Sequence, residues 1–550
     1  MKRLLLCFAI LVTLVSCGDN RRVIQTDDFL VYHNICIDAE GKIVPWNSPD
    51  LRIACDDIVD RLYSFWKSMS PSINGLPYYM VHLVWKEGFE DRRSVAGDQC
   101  AMIMSSWRLL YQYLGDENIK EEMKFIADYY LTHSLSPENA VWPNIPYPYA
   151  TKIYSGFFDG DMILGKGYLQ PDKAGSFGYE LTNMYRITGN REYLKAAVAI
   201  ADCLVKNIRP ADNDHSPWPF KVNALTGEVG FLLDDDHNVT ARSEYTTNYA
   251  PTLELFLALK ELNVGNVQAY MKTFDSVVDW LNTYPLATGK WGPFFEDVPG
   301  WSDTQINAIS YASLLLRRPE LFDNAIEKAE SILGWVNKIL GNDSWSKYGV
   351  TVINEQTAYA VPGNSHTARQ AYAEILLASL KGTEVKQETL RKIAWTTYMV
   401  SEKGENYYYQ NDIWLTDGYG DFIRHYLRAM DIAPELLANP NENHILSSTS
   451  VIKRAEYSGD LNRFRVKGVH ELRDDSLTAL AYMTSDSSGI ERIVMTKKPS
   501  AVVLDNEAAP FADETDATVE KGYWTWRDFE TGGGLLVVTR FCANDIRVDF

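Results

Sequence analysis

The stretch Lys173-Ala174-Gly175-Ser176-Phe177-Gly178 opens a helical pattern that runs to Thr188, breaks at Gly189-Asn190 and resumes from Arg191 to Asn207. The first segment is crowded with small residues, which suits a helix packed on all sides, and the second is amphipathic, which suits a helix with one face in water. Gly-Asn between them is a tight-turn signal, so the stretch reads as a helical hairpin.

The same unit recurs from residue 51 to residue 432. Patterns of the crowded kind cover 98–114, 173–188, 245–262, 303–316, 366–380 and 418–431, and patterns of the amphipathic kind cover 51–69, 117–134, 191–207, 267–284, 321–340 and 387–402. The two kinds alternate strictly. Gly115-Asp116, Gly189-Asn190, Gly265-Asn266, Pro319-Glu320 and Gly382-Thr383 make short turns from a crowded helix to the amphipathic one that follows. The return connections are long, about 15 to 38 residues, against the usual helix–helix loop of about 2 to 8. Twelve antiparallel helices with every long loop at one end describe six hairpins closed into an (α/α)6 toroid. Segments such as Ala308-Ile309-Ser310-Tyr311-Ala312-Ser313 would form its inner ring, and faces carrying Asp323, Glu327 and Lys328 its outer one.

Outward from the toroid the texture changes. From 445 to 550 short apolar runs, such as Ile493-Val494-Met495, Ala501-Val502-Val503-Leu504 and Gly533-Gly534-Leu535-Leu536-Val537-Val538, are separated by Gly, Asp and Ser and predict a small antiparallel β domain. At the other end, Lys2 and Arg3 precede an apolar run from Leu4 to Val15, too short to span a membrane. Leu14-Val15-Ser16-Cys17 is similar to a bacterial lipobox, which implies cleavage before Cys17 and a lipid on its thiol. The expected division is a signal peptide at 1–17, a lead-in at 18–50, the toroid at 51–444 and the β domain at 445–550. The expected location is the bacterial outer membrane, as a lipoprotein facing the periplasm or the cell surface.

The 550 residues are 46% hydrophobic and 23% charged, the balance of a globular chain with a large core. Lys and Arg total 53 against 73 Asp and Glu, and the net charge of -20 argues against a surface that tracks nucleic-acid phosphates. Cys36, Cys55, Cys100, Cys203 and Cys542 are scattered with no C-x-x-C pair, which indicates neither a zinc site nor a disulfide framework. Asp234-Asp235-Asp236-His237 lacks the EF-hand pattern and reads as a solvated turn, and neither a Walker loop nor a dinucleotide fingerprint occurs. No metal or cofactor is expected.

A helical toroid opens among its long loops and inner-helix N-termini, so candidate residues are sought there. Asp98 and Asp172 stand at the starts of inner helices, where an aspartate is also a natural N-cap. Glu296 and Asp297 lie among aromatic residues in Trp291-Gly292-Pro293-Phe294-Phe295-Glu296-Asp297, where desolvation raises a carboxyl pKa as a general acid requires. Lys173, Arg242, His366 and Arg369 are candidate readers of a substrate carboxylate, and Tyr245 and Glu355 stand beside them at the starts of the third and fifth inner helices. Trp218 offers an aromatic face for a sugar ring. Asp417 opens the sixth inner helix, where Asp421 with Arg424 or His425 would form an internal polar network.

Four of these segments carry a resemblance: Gln170-Pro171-Asp172-Lys173-Ala174-Gly175, Ser216-Pro217-Trp218-Pro219-Phe220, Phe295-Glu296-Asp297-Val298 and Asp417-Gly418-Tyr419-Gly420-Asp421. Across roughly residues 50 to 432 the chain resembles the six-hairpin glycosidase superfamily, and most nearly glycoside hydrolase family 154. The resemblance implies acid-assisted cleavage of a glycosidic bond, with β-glucuronidase activity on an oligosaccharide or polysaccharide substrate. Asp297 or Glu296 would protonate the leaving oxygen and Asp172 or Asp98 would activate water. Two other readings stay open: a polysaccharide lyase using Tyr245 and His366 as base and acid, and a non-catalytic glycan-binding lipoprotein.

Overall fold

A computed structural model describes residues 22–24, 35–40, 43–80, 84–85, 94–95, 97–234, 236–295, 298, 300–358, 360–402, 404, 413–414, 421–457, 478–512 and 520–550, with the backbone alone at 22–24, 35–37, 84–85, 94–95, 97–99 and 413–414. Residues 1–17 with Cys17, and also Glu296, Asp297 and Asp417, lie outside the described residues, as does the side chain of Asp98.

The outer helices are α1 Leu51–Ser68, α3 Glu117–His133, α5 Arg191–Lys206, α7 Val267–Thr283, α9 Ala325–Ile339 and α11 Gln387–Tyr398. The inner helices are α2 Gly97–Leu114, α4 Pro171–Thr188, α6 Ala250–Leu262, α8 Gln305–Arg317, α10 Asn364–Lys381 and α12 Phe422–Ile432. Local chemistry sets the tight turns between them. Gly189 and Gly382 end α4 and α10 in the left-handed conformation, and Asp116, Asn190 and Asn266 then cap α3, α5 and α7 by accepting backbone N–H groups of the first turn. Each inner helix packs on the next, and α12 packs on α2, so the ring of the (α/α)6 toroid is closed.

Some boundaries differ from the sequence reading. α6 starts at Ala250 rather than 245, with Pro251 in its first turn, where a residue without an N–H costs nothing. Pro319–Leu321 forms a separate 3-10 turn, and α9 begins only at Ala325. Asp172 is not the cap of α4: Gln170 holds that position and Pro171 opens the helix, which leaves the Asp172 carboxylate one residue inside the first turn.

The inner ring is packed closely enough to need its glycines. A β-carbon on Gly175 would stand 1.9 Å from Thr252 Oγ1 and 2.8 Å from Thr252 Cβ, so α4 and α6 approach each other through that missing side chain.

The C-terminal strands are β1 His444–Ser448, β2 Ile452–Tyr457, β3 Thr478–Thr484, β4 Gly489–Met495, β5 Ala501–Leu504, β6 Glu507–Ala508, β7 Gly522–Asp528, β8 Gly534–Arg540 and β9 Asp545–Asp549. They form two antiparallel sheets, ordered β1-β4-β8-β7 and β2-β3-β9-β5-β6. Ile445, Ile493 and Leu536 of the first and Leu480, Val502 and Ile546 of the second share one apolar core. This layer rests on the C-terminal end of α2. Gln112 Nε2 donates to Leu446 O at 2.9 Å, Tyr457 Oη donates to Gln112 O, and Gly115, at φ 68°, lets Ala455 O approach within 2.7 Å of where a β-carbon would stand. The toroid is thus covered by the β layer at that end, and its long loops lie at the other. Among the described residues no helix is long and apolar enough to cross a membrane.

Alanine at position 175 improves intrinsic helix propensity by about 1 kcal/mol but overpacks the α4–α6 contact, an effect of about 1–3 kcal/mol. Gly175→Ala is therefore expected to lower the midpoint of urea unfolding; an unchanged or higher midpoint would show that the ring has slack at this contact.

Candidate active site

The N-termini of the inner helices converge at the loop end, and below them a cavity of about 70 Å³ runs down the toroid axis. Asn248 and Phe294 line its mouth together with Ala101 and Ile306 from the first turns of α2 and α8.

Asp172, 1% exposed, accepts a hydrogen bond at Oδ2 from Asn248 Nδ2 at 2.9 Å. This bond ties the first turn of α4 to the residues that lead into α6. Lys173 beside it is also buried; its ammonium donates to Phe294 O at 3.3 Å and sits 3.2 Å from the centre of the Phe294 ring. The Lys173 charge thus clamps the Phe294 loop over the mouth. Thr246 Oγ1 and Asn307 Nδ2 hold the same loop by donating to Pro293 O at 2.8 and 3.2 Å.

On the opposite side of the mouth a second network joins α8, α10 and α12. Gln305 donates to His366 O at 3.1 Å and accepts from Arg369 at 2.6 Å. Arg369 and Arg424 both pair with the buried Asp421, and His425 Nε2 lies 3.1 Å from the same carboxylate. Burial and the Arg369 charge push the pKa values of His366 and His425 well below the usual imidazole range, so both rings are neutral at pH 7. The internal network expected of Asp421, Arg424 and His425 is present.

Deeper in the toroid, Arg317 pairs with Glu254 at 2.8 Å and Arg108 with Glu180 at 3.4 Å. The cavity wall presents four guanidinium groups, Arg317, Arg369, Arg424 and Arg428, against two carboxylates, Glu180 and Glu254. Arg428 makes no ion pair among the described residues, and burial with the neighbouring Arg317 pushes its pKa down to about 10. In a chain of net charge -20, the axis is a local positive well suited to an anionic group.

Of the residues singled out in the sequence, Arg369 lines this cavity, Asp172 and Lys173 contact its lining residues Asn248 and Phe294, and the carbonyl of His366 accepts from Gln305. Three take other places. Trp218 is fully buried, donates Nε1 to Leu204 O at 2.8 Å and packs edge-on against Tyr249, so it is a core residue with no face for a sugar. Arg242 ends an exposed strand, Val239–Arg242, and pairs with Glu244 at 3.0 Å, so it does not reach the axis. Tyr245 packs against Trp280 and Trp301, its hydroxyl donates to Lys290 O at 3.4 Å, and burial drives its pKa above the ordinary tyrosine range. Such a phenol is a poor proton acceptor. Glu355 is buried, and its backbone N–H and C=O bond to Val361 and Gln305.

The sequence reading passed over Glu180, Glu254, Arg317 and Arg428. Their signal was a charged residue inside a helix otherwise made of small and apolar ones. Asp303 was missed as well: burial raises its carboxyl pKa while it accepts the Trp291 N–H at 2.7 Å.

No family model and no curated protein sequence matches the chain. Among solved structures it is similar to cellobiose 2-epimerase from Spirochaeta thermophila, with a TM-score of 0.52 and 13% identity over 70% of this chain and 98% of that one. It is also similar to cellobiose 2-epimerase from Bacillus thermoamylovorans, with a TM-score of 0.50 and 12% identity over 68% of this chain and 98% of that one. At these identities the likeness is one of fold, the (α/α)6 toroid.

The neutral histidines have a consequence for acid stability. Their folded pKa values lie below the unfolded value of about 6.5, so below that pH the unfolded chain takes up the proton first and stability falls. Each buried histidine contributes a slope of about 1.4 kcal/mol per pH unit there and none above it. Urea unfolding from pH 7.5 to 5 should therefore give a shallower loss for His425→Gln than for the parent chain; parallel curves would mean that folding leaves the proton affinity of His425 unchanged.

Proposed function

We propose that this protein is an exported glycoside hydrolase that releases a terminal uronic acid from an oligosaccharide. The observation that carries this reading is the arginine-rich axial cavity, with Arg428 in no ion pair among the described residues, below a mouth where the lining residue Asn248 donates to the buried Asp172. A carboxylate carries the charge that this arginine-rich wall favours. The two toroids of similar fold act, by their names, on the disaccharide cellobiose, and we carry the sugar class from them to this chain.

In this reading the uronate carboxylate points down the axis toward Arg428, and the glycosidic oxygen lies at the mouth. Asp172, oriented by Asn248, or Asp98 at the start of α2, activates water. Glu296 or Asp297 protonates the leaving oxygen. A lipid on Cys17 would hold the enzyme at the outer membrane, where glycan fragments are met.

The test is incubation of the mature chain with glucuronic-acid-capped and glucose-capped oligosaccharides, following free sugar and ultraviolet absorbance together. Release of glucuronic acid without absorbance is expected. New absorbance would mark β-elimination instead, and binding without product would mark a glycan-capture protein. Asp172→Asn should lower kcat by about 10²–10⁴-fold. Arg428→Met should lower kcat/KM for the glucuronide about 10- to 100-fold, the worth of one charge-assisted contact of about 1.5–3 kcal/mol, and leave any glucoside turnover unchanged. An equal loss on both substrates would remove Arg428 from carboxylate recognition.

A further inference from the structure

A second cluster lies away from the axis, where the first helix meets the β layer. Asp56 of α1 and Glu442 and His444, at the start of β1, are all buried, and one donor atom from each lies within 4.8 Å of the other two. His444 Nε2 is 3.3 Å from Glu442 Oε2 and 3.9 Å from Asp56 Oδ1.

The tautomer of His444 follows from its other nitrogen. Nδ1 is 2.9 Å from Tyr113 O, and a carbonyl only accepts, so Nδ1 carries the hydrogen. Without a second proton the ring would present a lone pair at Nε2, which is fully buried, makes no hydrogen bond among the described residues and faces two carboxylates. Lone pairs opposed in this way repel unless a cation stands between them. An imidazole that donates one N–H to a backbone carbonyl while its other nitrogen faces carboxylates is the arrangement that orients a metal-ligating histidine.

The rest of the setting is equally fixed. The Tyr113 ring stacks on His444 with centroids 3.9 Å apart and planes at 17°. Tyr113 Oη donates to Asp56 Oδ1 at 2.7 Å, and Asn439 Nδ2 donates to Asp56 Oδ2 at 2.9 Å. Donors around a tetrahedral ion at about 2.1 Å are separated by roughly 3.4 Å, close to the spacing of the histidine from each acid. Asp56, Asn439 and Glu442 also line a cavity of about 770 Å³ whose wall bears Asp57, Asp60 and Glu402. That cavity offers a cation a route inward and room for water.

We propose that Asp56, Glu442 and His444 bind one divalent transition-metal ion of the zinc class, with water from the adjoining cavity completing its coordination. The imidazole donor favours such an ion over calcium or magnesium, which take oxygen ligands. The ion would fasten α1 of the toroid to β1 of the β layer. Its ligands come from positions 56, 442 and 444, a spacing that no metal motif announces in the sequence.

The experiment uses the mature full-length chain, stripped with EDTA and dialysed. Calorimetric titration with ZnCl₂ is expected to give one saturable equivalent, with a higher Tm in excess Zn²⁺ and weaker or no response to Ca²⁺ and Mg²⁺. Glu442→Gln and Asp56→Asn should each lower the affinity at least about tenfold and reduce the Tm gain. A wild-type chain without a one-site isotherm would overturn the proposal and make His444 an imidazolium paired with the two acids. Unchanged binding in both variants would overturn it too, by placing the ion elsewhere.

Discussion

Closing six inner helices on one another leaves an axial column that is shut off from bulk water over most of its length, and what occupies that column constrains everything else. Charged groups there lose their hydration and must find partners or face a cavity. The Arg317–Glu254, Arg108–Glu180 and Arg369–Asp421 pairs satisfy this requirement, and each links two different inner helices. Pairing alone does not balance the column, because its guanidinium groups outnumber its carboxylates. The excess is what makes the axis more than a structural core: it sets a preference for one sign of charge at a depth where solvent screening is weak.

The same closure divides the molecule into two ends with different duties. At the tight-turn end, short caps and glycines let the β layer lie directly on α2, through Gly115 and the Gln112 contacts. At the other end, helices begin, and their unpaired N–H groups add a modest positive potential to that of the arginines. Lys173 holds the Phe294 loop through its carbonyl and its ring.

Much of this architecture was legible because it is written locally. Glycine and asparagine at 189 and 190 mean a helix end followed by a helix start whatever the surroundings, and the small residues of α4 announce close packing. The site was legible only in part. Asp172 was expected to cap α4, but Pro171 opens the helix two residues earlier and Gln170 holds the cap position. Trp218 and Arg242 misled because residue type does not say which way a loop side chain turns: one entered the core and the other an exposed strand. Glu180, Glu254, Arg317 and Arg428 escaped notice because helical periodicity gives a helix's buried face but not what that face meets across the ring. Asp56, Glu442 and His444 come together only when the ends of the toroid do.

The packing of α12 on α2 has an evolutionary reading. An open array of helix pairs lengthens or shortens by whole repeats, since each unit touches only its neighbours. A closed ring does not: a seventh hairpin would widen the axis and separate every ion pair across it. Variation is therefore channelled into the long connections at one end, while the start and finish of the ring, α1 and α12, lie side by side. Such a molecule is indifferent to where its chain is cut. Joining the ring's two ends and reopening it at a tight turn would yield a circular permutant with the same axis and the same charges facing it.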